Sequence, residues 1–215
     1  VIGGLPMIPK TLHQVWLGNS QPRYMQAFCH NWRRLHPDWE YRLWSARELR
    51  TMGLGPLLDR CTTFASQSNV ARLHVVNQFG GVYADCDIDW IKSLNPLLET
   101  TAFAAEEIPG NYCNAIFGAA PRQPWTEYQI DKLAAYVLKP PPWGPSLMTE
   151  ACRRFTITTY PTNYFYPYLY DSGPFPTAQF PDSYAVHHWS LSWTETDRSA
   201  RCEQFFSTTR PSVDS

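Results

Sequence analysis

The sequence predicts an α/β protein on three observations. Strand-like alternation and amphipathic helical spacing follow one another through the first hundred residues. The chain has 215 residues, 44% of them hydrophobic and 17% charged, which is enough for one domain with a sizeable core. The apolar runs end in glycine or in acidic residues, and open α/β sheets bind ligands at such strand ends.

Taken in order, "KTLHQVWLG" (10–18) alternates apolar and polar residues and ends in glycine, as a first strand entering a loop. "PRYMQAFCHNWRRLHP" (22–37) has helical spacing and a proline to stop it. A second strand is expected in "WEYRLWS" (39–45), then a short helix capped by Ser45. A longer helix is expected from Thr62 to Phe79, ended by Gly80. Val82 to Ala84 are too few and too β-rich for a helix, so they form a strand whose end presents acidic residues. Residues 101–107 and 114–120 read as buried strands, and 124–139 and 144–155 as helices. Strands return in "TNYFYPYLY" and "SYAVHHW". The tail "STTRPSVDS" (207–215) reads as a linker that further domains could follow.

Composition narrows the function. A net charge of −1 offers no basic field for a nucleic-acid backbone, so nucleic acid is not expected as a partner. The 9 Trp, 12 Tyr and 11 Phe suit either an aromatic core or flat polar ligands such as nucleobases and sugars. Six scattered cysteines form no CxxC pair and lack zinc-type histidine spacing. A reduced protein of the cytoplasm, or of a host cytoplasm, is the expectation; one or two disulfides in a secretory lumen are the alternative. No apolar run approaches the ~20 residues of a membrane span.

"GGVYADCDIDW" (80–90) sets Asp85, Asp87 and Asp89 at alternate positions. Side chains at i and i+2 of an extended segment face the same way, so Asp85 and Asp87 converge while Cys86 points away. Asp89 follows at the same spacing, and its direction depends on where the chain turns. Neighbouring carboxylates repel unless positive charge sits among them. Two hard oxygen ligands side by side suit Mg²⁺ or Mn²⁺, which take their remaining oxygens from water and substrate phosphates. A calcium loop of the EF-hand kind fails, because its sixth and twelfth positions would be Trp90 and Pro96. A DxD phosphatase and a solvated acidic turn stay open as alternatives.

Three pieces in order, "IPKTLHQVWLG" (8–18), "QSNVARLHVVNQFGGVYADCD" (67–87) and "HHWSLSW" (187–193), span nearly the whole chain. They resemble the DXD sugar-nucleotide glycosyltransferases of family 32. The resemblance implies a GT-A fold, one domain over 1–206 with a mixed central sheet flanked by helices. Its nucleotide-sugar half would be about 1–100 and its acceptor half about 101–206. It implies a metal-dependent transferase, with Mn²⁺ or Mg²⁺, moving sugar from a UDP-sugar such as UDP-glucose or UDP-rhamnose to a saccharide or glycan acceptor, including one on a glycoprotein. A non-catalytic nucleotide- or glycan-binding module of the same fold is the reading from another class. The short length also fits a microbial or viral enzyme, the glycosyltransferase domain of a large algal-virus protein among them.

The same resemblance assigns residues. Asp87 would be the direct metal ligand, and Asp85 would contact ribose and metal. His187 or His188 would supply a third ligand, with His187 preferred because it follows Ala185 and Val186. Ser192 and Trp193 would lie over the pyrophosphate, and Val15 and Trp16 at the base. His13 and Gln14 read as structural. Arg72 would reach the nucleotide or donor sugar. Asn69 stands where the family usually has Asp, which keeps an oxygen acceptor, loses a charge and gains a donor. That departure leaves the donor sugar open. The family retains anomeric configuration; an inverting enzyme would need a base, and Glu106 and Glu107 at the end of a strand offer one, or bind acceptor hydroxyls. "WGPS" (143–146) would turn a helix N-terminus towards donor or acceptor.

Overall fold

β-Branched and apolar residues in the first strand, β1 (Thr11–Val15), are buried from Leu12 onward, as a strand with neighbours on both edges and layers on both faces requires. The computed structural model describes residues 7–137, 143–190 and 197–209. From β1 the chain passes through α1 (Arg23–Leu35) to β2 (Glu40–Trp44), then through α2 (Ala46–Thr51), α3 (Gly55–Leu58) and α4 (Phe64–Phe79) to β3 (Gly81–Ala84). Both β2 and β3 pair with β1 in parallel, which the helical crossovers make possible. β4 (Ile88–Trp90) follows, and β5 (Ala102–Ile108) and β6 (Asn111–Ala119) form an antiparallel hairpin. Next come α5 (Pro124–Tyr136), α6 (Trp143–Arg154), β7 (Thr158–Tyr160), β8 (Ala185–His187) and α7 (Asp197–Thr209).

The main sheet runs β2-β1-β3-β6-β5-β7; β6 is antiparallel to β3, and β7 is parallel to β5. The mixed sheet expected from the sequence is present. β4 and β8 form a separate antiparallel pair in which Ile88 faces His187. This small ladder carries the end of the chain back to the aspartate segment.

Two cores cover the sheet. On one face α4, α5 and α6 bury Val70, Leu73, Val76, Trp125, Leu133 and Met148. The other face buries Leu12, Val82, Phe103, Trp32, Phe165 and Tyr166. The period of two along β3 is visible in this division: Val82 and Ala84 enter the second core and Tyr83 the first.

Local signals explain the element ends nearest the site. Ser45 caps α2 with a reciprocal box, its hydroxyl accepting from the Glu48 amide while the Glu48 carboxylate accepts from the Ser45 amide. Thr63 caps α4 by accepting from Ser66. At the α4–β3 junction Gly80 and Gly81 have φ of 66° and 102°. A Cβ on Gly81 would lie 2.6 Å from the Thr11 carbonyl oxygen, so only glycine lets β3 enter beside β1.

The region after α6 departs from expectation. The strand read over 162–170 is instead a 3₁₀ turn at Thr162–Tyr164 followed by irregular chain, and the strand itself lies earlier, at Thr158–Tyr160. Pro161 and Pro167 interrupt any ladder, while Phe165, Tyr166 and Tyr168 are buried for packing. The final helix extends to Thr209, into the first residues of the segment read as a linker.

Candidate functional site

Alternation along β3 aims Asp85 to the same side as Tyr83, and the Tyr83 hydroxyl donates to Asp85 Oδ1 at 2.7 Å. The Arg72 guanidinium, one turn past Ser68 on α4, meets the same oxygen at 3.0 Å. Arg72 is buried and also donates to the Asn114 carbonyl at 2.6 Å and the Ser68 hydroxyl at 3.1 Å, and lies over the Tyr83 ring. It therefore braces Asp85 against β6 and also lines the cleft. The backbone at Asp85 is tied as well: the Gln14 amide donates to the Asp85 carbonyl at 3.2 Å, and Tyr41 donates to Gln14.

Asp87 is held differently. Its Oδ2 accepts from the Ser190 amide at 2.7 Å and the Ser190 hydroxyl at 2.9 Å. Its Oδ1 faces His187 Nε2 at 3.3 Å. Burial alone would raise its pKa, but His187 and the two Ser190 donors outweigh burial and hold the carboxyl well below the usual range. Asp85 moves the other way. Burial pushes its pKa up, opposed by Arg72 and reinforced by the Asp87 charge.

Asp85, Asp87 and His187 each offer one ligand atom, and these atoms lie within 4.8 Å of one another. Two carboxylates and an imidazole suit a dication of the Mn²⁺ kind. The His187 Nδ1 atom is buried without a hydrogen-bond partner, so the ring has donor capacity that the protein leaves unused. This residue set fits such an ion.

The cluster lies at the floor of a cleft of about 1120 Å³. One wall comes from the end of β1, where Val15 is buried and the half-buried Trp16 donates its indole N–H to the Asn19 carbonyl. Another comes from α4, where the Asn69 Oδ1 accepts from the Asn114 Nδ2 at 2.8 Å. The first turn of α6 closes on that amide pair, and a Cβ on Gly144 would lie 2.4 Å from Asn114 Nδ2. Glu107 completes the far wall, and burial raises its pKa, with Cys113 and His187 opposing.

Other residues singled out from the sequence fall elsewhere. Glu106 alternates away from Glu107 on β5, and its carboxylate accepts from the Gly110 amide at 3.0 Å in the hairpin turn. His188 turns opposite to His187, into a nest of Phe28, Phe206 and Tyr168, whose hydroxyl meets His188 Nδ1 at 2.7 Å. It is absent from the metal cluster. Asp89 is buried and accepts from the Trp90 amide at 3.0 Å, away from the other two aspartates. Ser192 and Trp193 lie outside the described residues. His13 takes a structural place, bonded to the Gly80 carbonyl at 2.8 Å and accepting from the Trp44 indole at 3.1 Å.

Sequence reasoning missed Ser190 and Asn114. Asn114 carries a legible signal, since it lies on a strand read as buried and a buried polar residue needs a partner. Ser190 carries none, because its reach to Asp87 depends on a turn.

Residues 22–104 match the family described as a glycosyltransferase sugar-binding region containing the DXD motif. The chain is 26% identical over 214 residues to inositol phosphoceramide mannosyltransferase 1 of Schizosaccharomyces pombe, covering 91% of this chain and 65% of that relative. The chain thus spans just under two thirds of the relative's length. Among solved structures, glycosyltransferase GlyE of Streptococcus pneumoniae aligns over 96% of this chain and 66% of its own, with a TM-score of 0.54 at 12% identity. A glycosyltransferase involved in glycosylation of the major capsid of PBCV-1 aligns over 92% and 98%, with a TM-score of 0.51 at 10% identity. These likenesses speak for the fold. Over residues 22–104 the chain is similar to the DXD-containing sugar-binding region of glycosyltransferases, and its fold is the GT-A fold.

Proposed function

We propose that this chain is a metal-dependent glycosyltransferase that moves a sugar from a UDP-sugar to a hydroxyl of a saccharide or glycan acceptor with retention of configuration. The observation that carries the reading is the Asp85–Asp87–His187 cluster at the floor of a cleft large enough for a nucleotide sugar. A divalent cation held by these three residues would supply positive charge for the departing diphosphate.

The chain's own groups have separate tasks in this reading. Asp87 is oriented by the Ser190 amide and hydroxyl on Oδ2, so it presents Oδ1 towards the ligand position. Arg72 and Tyr83 fix the orientation of Asp85. Trp16 gives the base an indole face beside the end of β1. The Asn69–Asn114 pair meets the donor sugar with amide groups and no charge. Glu107 binds an acceptor hydroxyl across the cleft, and a leaving phosphate takes the proton in the retaining course.

The fission-yeast likeness favours a second reading of the substrates, since that relative is named for mannosyl transfer to inositol phosphoceramide. In it the donor is a mannosyl nucleotide and the acceptor a polyol headgroup. Mass spectrometry of products from a panel of UDP- and GDP-sugars, offered glycan and inositol-phospholipid acceptors, separates the two. Asp87→Asn keeps an acceptor for Ser190 but removes the charge. Transfer should fall by on the order of 10²-fold or more, with the thermal midpoint shifted by only about 3 °C. Transfer at the wild-type rate in that variant would refute the role given to Asp87 and its metal cluster; product from neither donor class in the wild type points to a binding module.

A further inference from the structure

The segment that joins β8 to the aspartates contains an unusual backbone. Trp189 has φ of 53°, in the left-handed region that a bulky residue rarely adopts. This conformation has a use. The His188 amide donates to the Asp87 carbonyl at 3.1 Å, and the turn at Trp189 brings the Ser190 amide and hydroxyl back onto the Asp87 carboxylate. Without the turn, Ser190 continues along the direction of β8 and Asp87 loses both donors.

Such a conformation persists only where neighbours over-determine it. Contacts on two sides do so here. The Trp189 indole donates to the Tyr168 carbonyl at 2.8 Å, and its ring lies 4.2 Å from that of His187. From the other side, buried Arg198 on α7 donates through Nε to the Trp189 carbonyl and through Nη2 to the His188 carbonyl at 3.1 Å. Nε and Nη2 lie on one edge of the planar guanidinium, so the fork spans two successive carbonyls and fixes their relative direction. A lysine ammonium carries the charge without that geometry.

We propose that Arg198 is a positioning residue: it locks the left-handed turn at Trp189, so that Ser190 holds Asp87 in its ligand orientation. The role of α7 is then to brace the site from behind, through a side chain that does not line the cleft. The consequence for metal affinity rests on the function proposed above; the effect on the turn does not.

The test compares Arg198→Lys with Leu133→Ala, a buried truncation in the opposite core that lowers stability without touching the turn. Hydrogen exchange at the Ser190 amide reads the turn directly. Arg198→Lys should speed this exchange at least tenfold and leave the paired amides of β4 and β8 near wild type. Manganese titration followed by electron paramagnetic resonance should show at least tenfold weaker binding in Arg198→Lys and unchanged affinity in Leu133→Ala. Wild-type exchange at Ser190 in Arg198→Lys overturns the proposal, as does equal acceleration in Leu133→Ala. Faster exchange with unchanged manganese affinity overturns the link from turn to ligand. If the wild type binds no manganese, the metal-dependent function fails, and the exchange data still decide the role of Arg198.

Discussion

Two neighbouring glutamates show how much a single residue's direction decides. Glu106 and Glu107 are indistinguishable by charge and by position at a strand end, yet alternation sends them to opposite sides. Glu107 lines the cleft with its pKa raised by burial, and Glu106 caps the hairpin turn at Gly110. Glu107→Gln is therefore expected to lower turnover or raise the acceptor KM by about tenfold or more, on the scale of a lost charge-assisted hydrogen bond to an acceptor hydroxyl. Glu106→Gln should leave both constants close to wild type. Steady-state kinetics with varied acceptor check the pair, and equal effects in the two variants contradict the assignment. Residue-scale reading worked best where strand geometry alone sets direction. Asp85 and Asp87 were legible as a pair because they end a strand, and His187 because it follows the apolar Ala185 and Val186 on β8. Ser190 was illegible, since its contact depends on the Trp189 backbone and not on any spacing.

At the scale of elements, the junctions that position the site are tied by histidines that must stay neutral. His13 on β1 accepts from the Trp44 indole at Nδ1 and donates from Nε2 to the Gly80 carbonyl. His36, just after α1, donates from Nδ1 to the Trp32 carbonyl and accepts from the Leu94 amide at Nε2. Protonation would place a hydrogen against a donor in each case. Burial accordingly lowers both pKa values to about 4. Below pH 6.5 the unfolded chain binds these protons and the folded chain does not, so stability falls as pH drops from 6.5 towards 4. Each histidine should contribute a loss of about 2 kcal/mol between pH 7 and pH 5. Urea unfolding at the two pH values checks this; a midpoint that is level or higher at pH 5 contradicts it. The elements easiest to read, β1, α1, β2, α4 and β3, are bounded by local signals: Pro37 after α1, Ser45 after β2, and Thr63 and Gly80 at the ends of α4. Residues 162–170 misled because their aromatic residues are buried in irregular chain, where packing imitates strand alternation. The three-residue β4 was too short to show a period, and α7 was obscured by the polar run of residues 194–204.

Over the whole molecule, the sheet, the α4–β3 junction and the β4–β8 ladder converge on one point, where the end of the chain meets its middle. This explains why the family resemblance was visible only as three separated pieces of sequence: each supplies one part of a single cleft. The match to known proteins covers the fold and the DXD region, and among the described residues no helix is long and apolar enough to cross a membrane. Asn69, which stands where the resembled family usually has Asp, is bonded to Asn114 in the cleft wall.

Calorimetric titration of UDP into the protein, with and without Mn²⁺, tests the central claim most directly. If Asp85, Asp87 and His187 hold a dication against a diphosphate, UDP should bind at least ~10-fold more tightly with Mn²⁺, a difference of about 1.4 kcal/mol or more. Asp87→Asn should erase that difference. Equal UDP affinity with and without the metal, or a metal effect that survives Asp87→Asn, would contradict it.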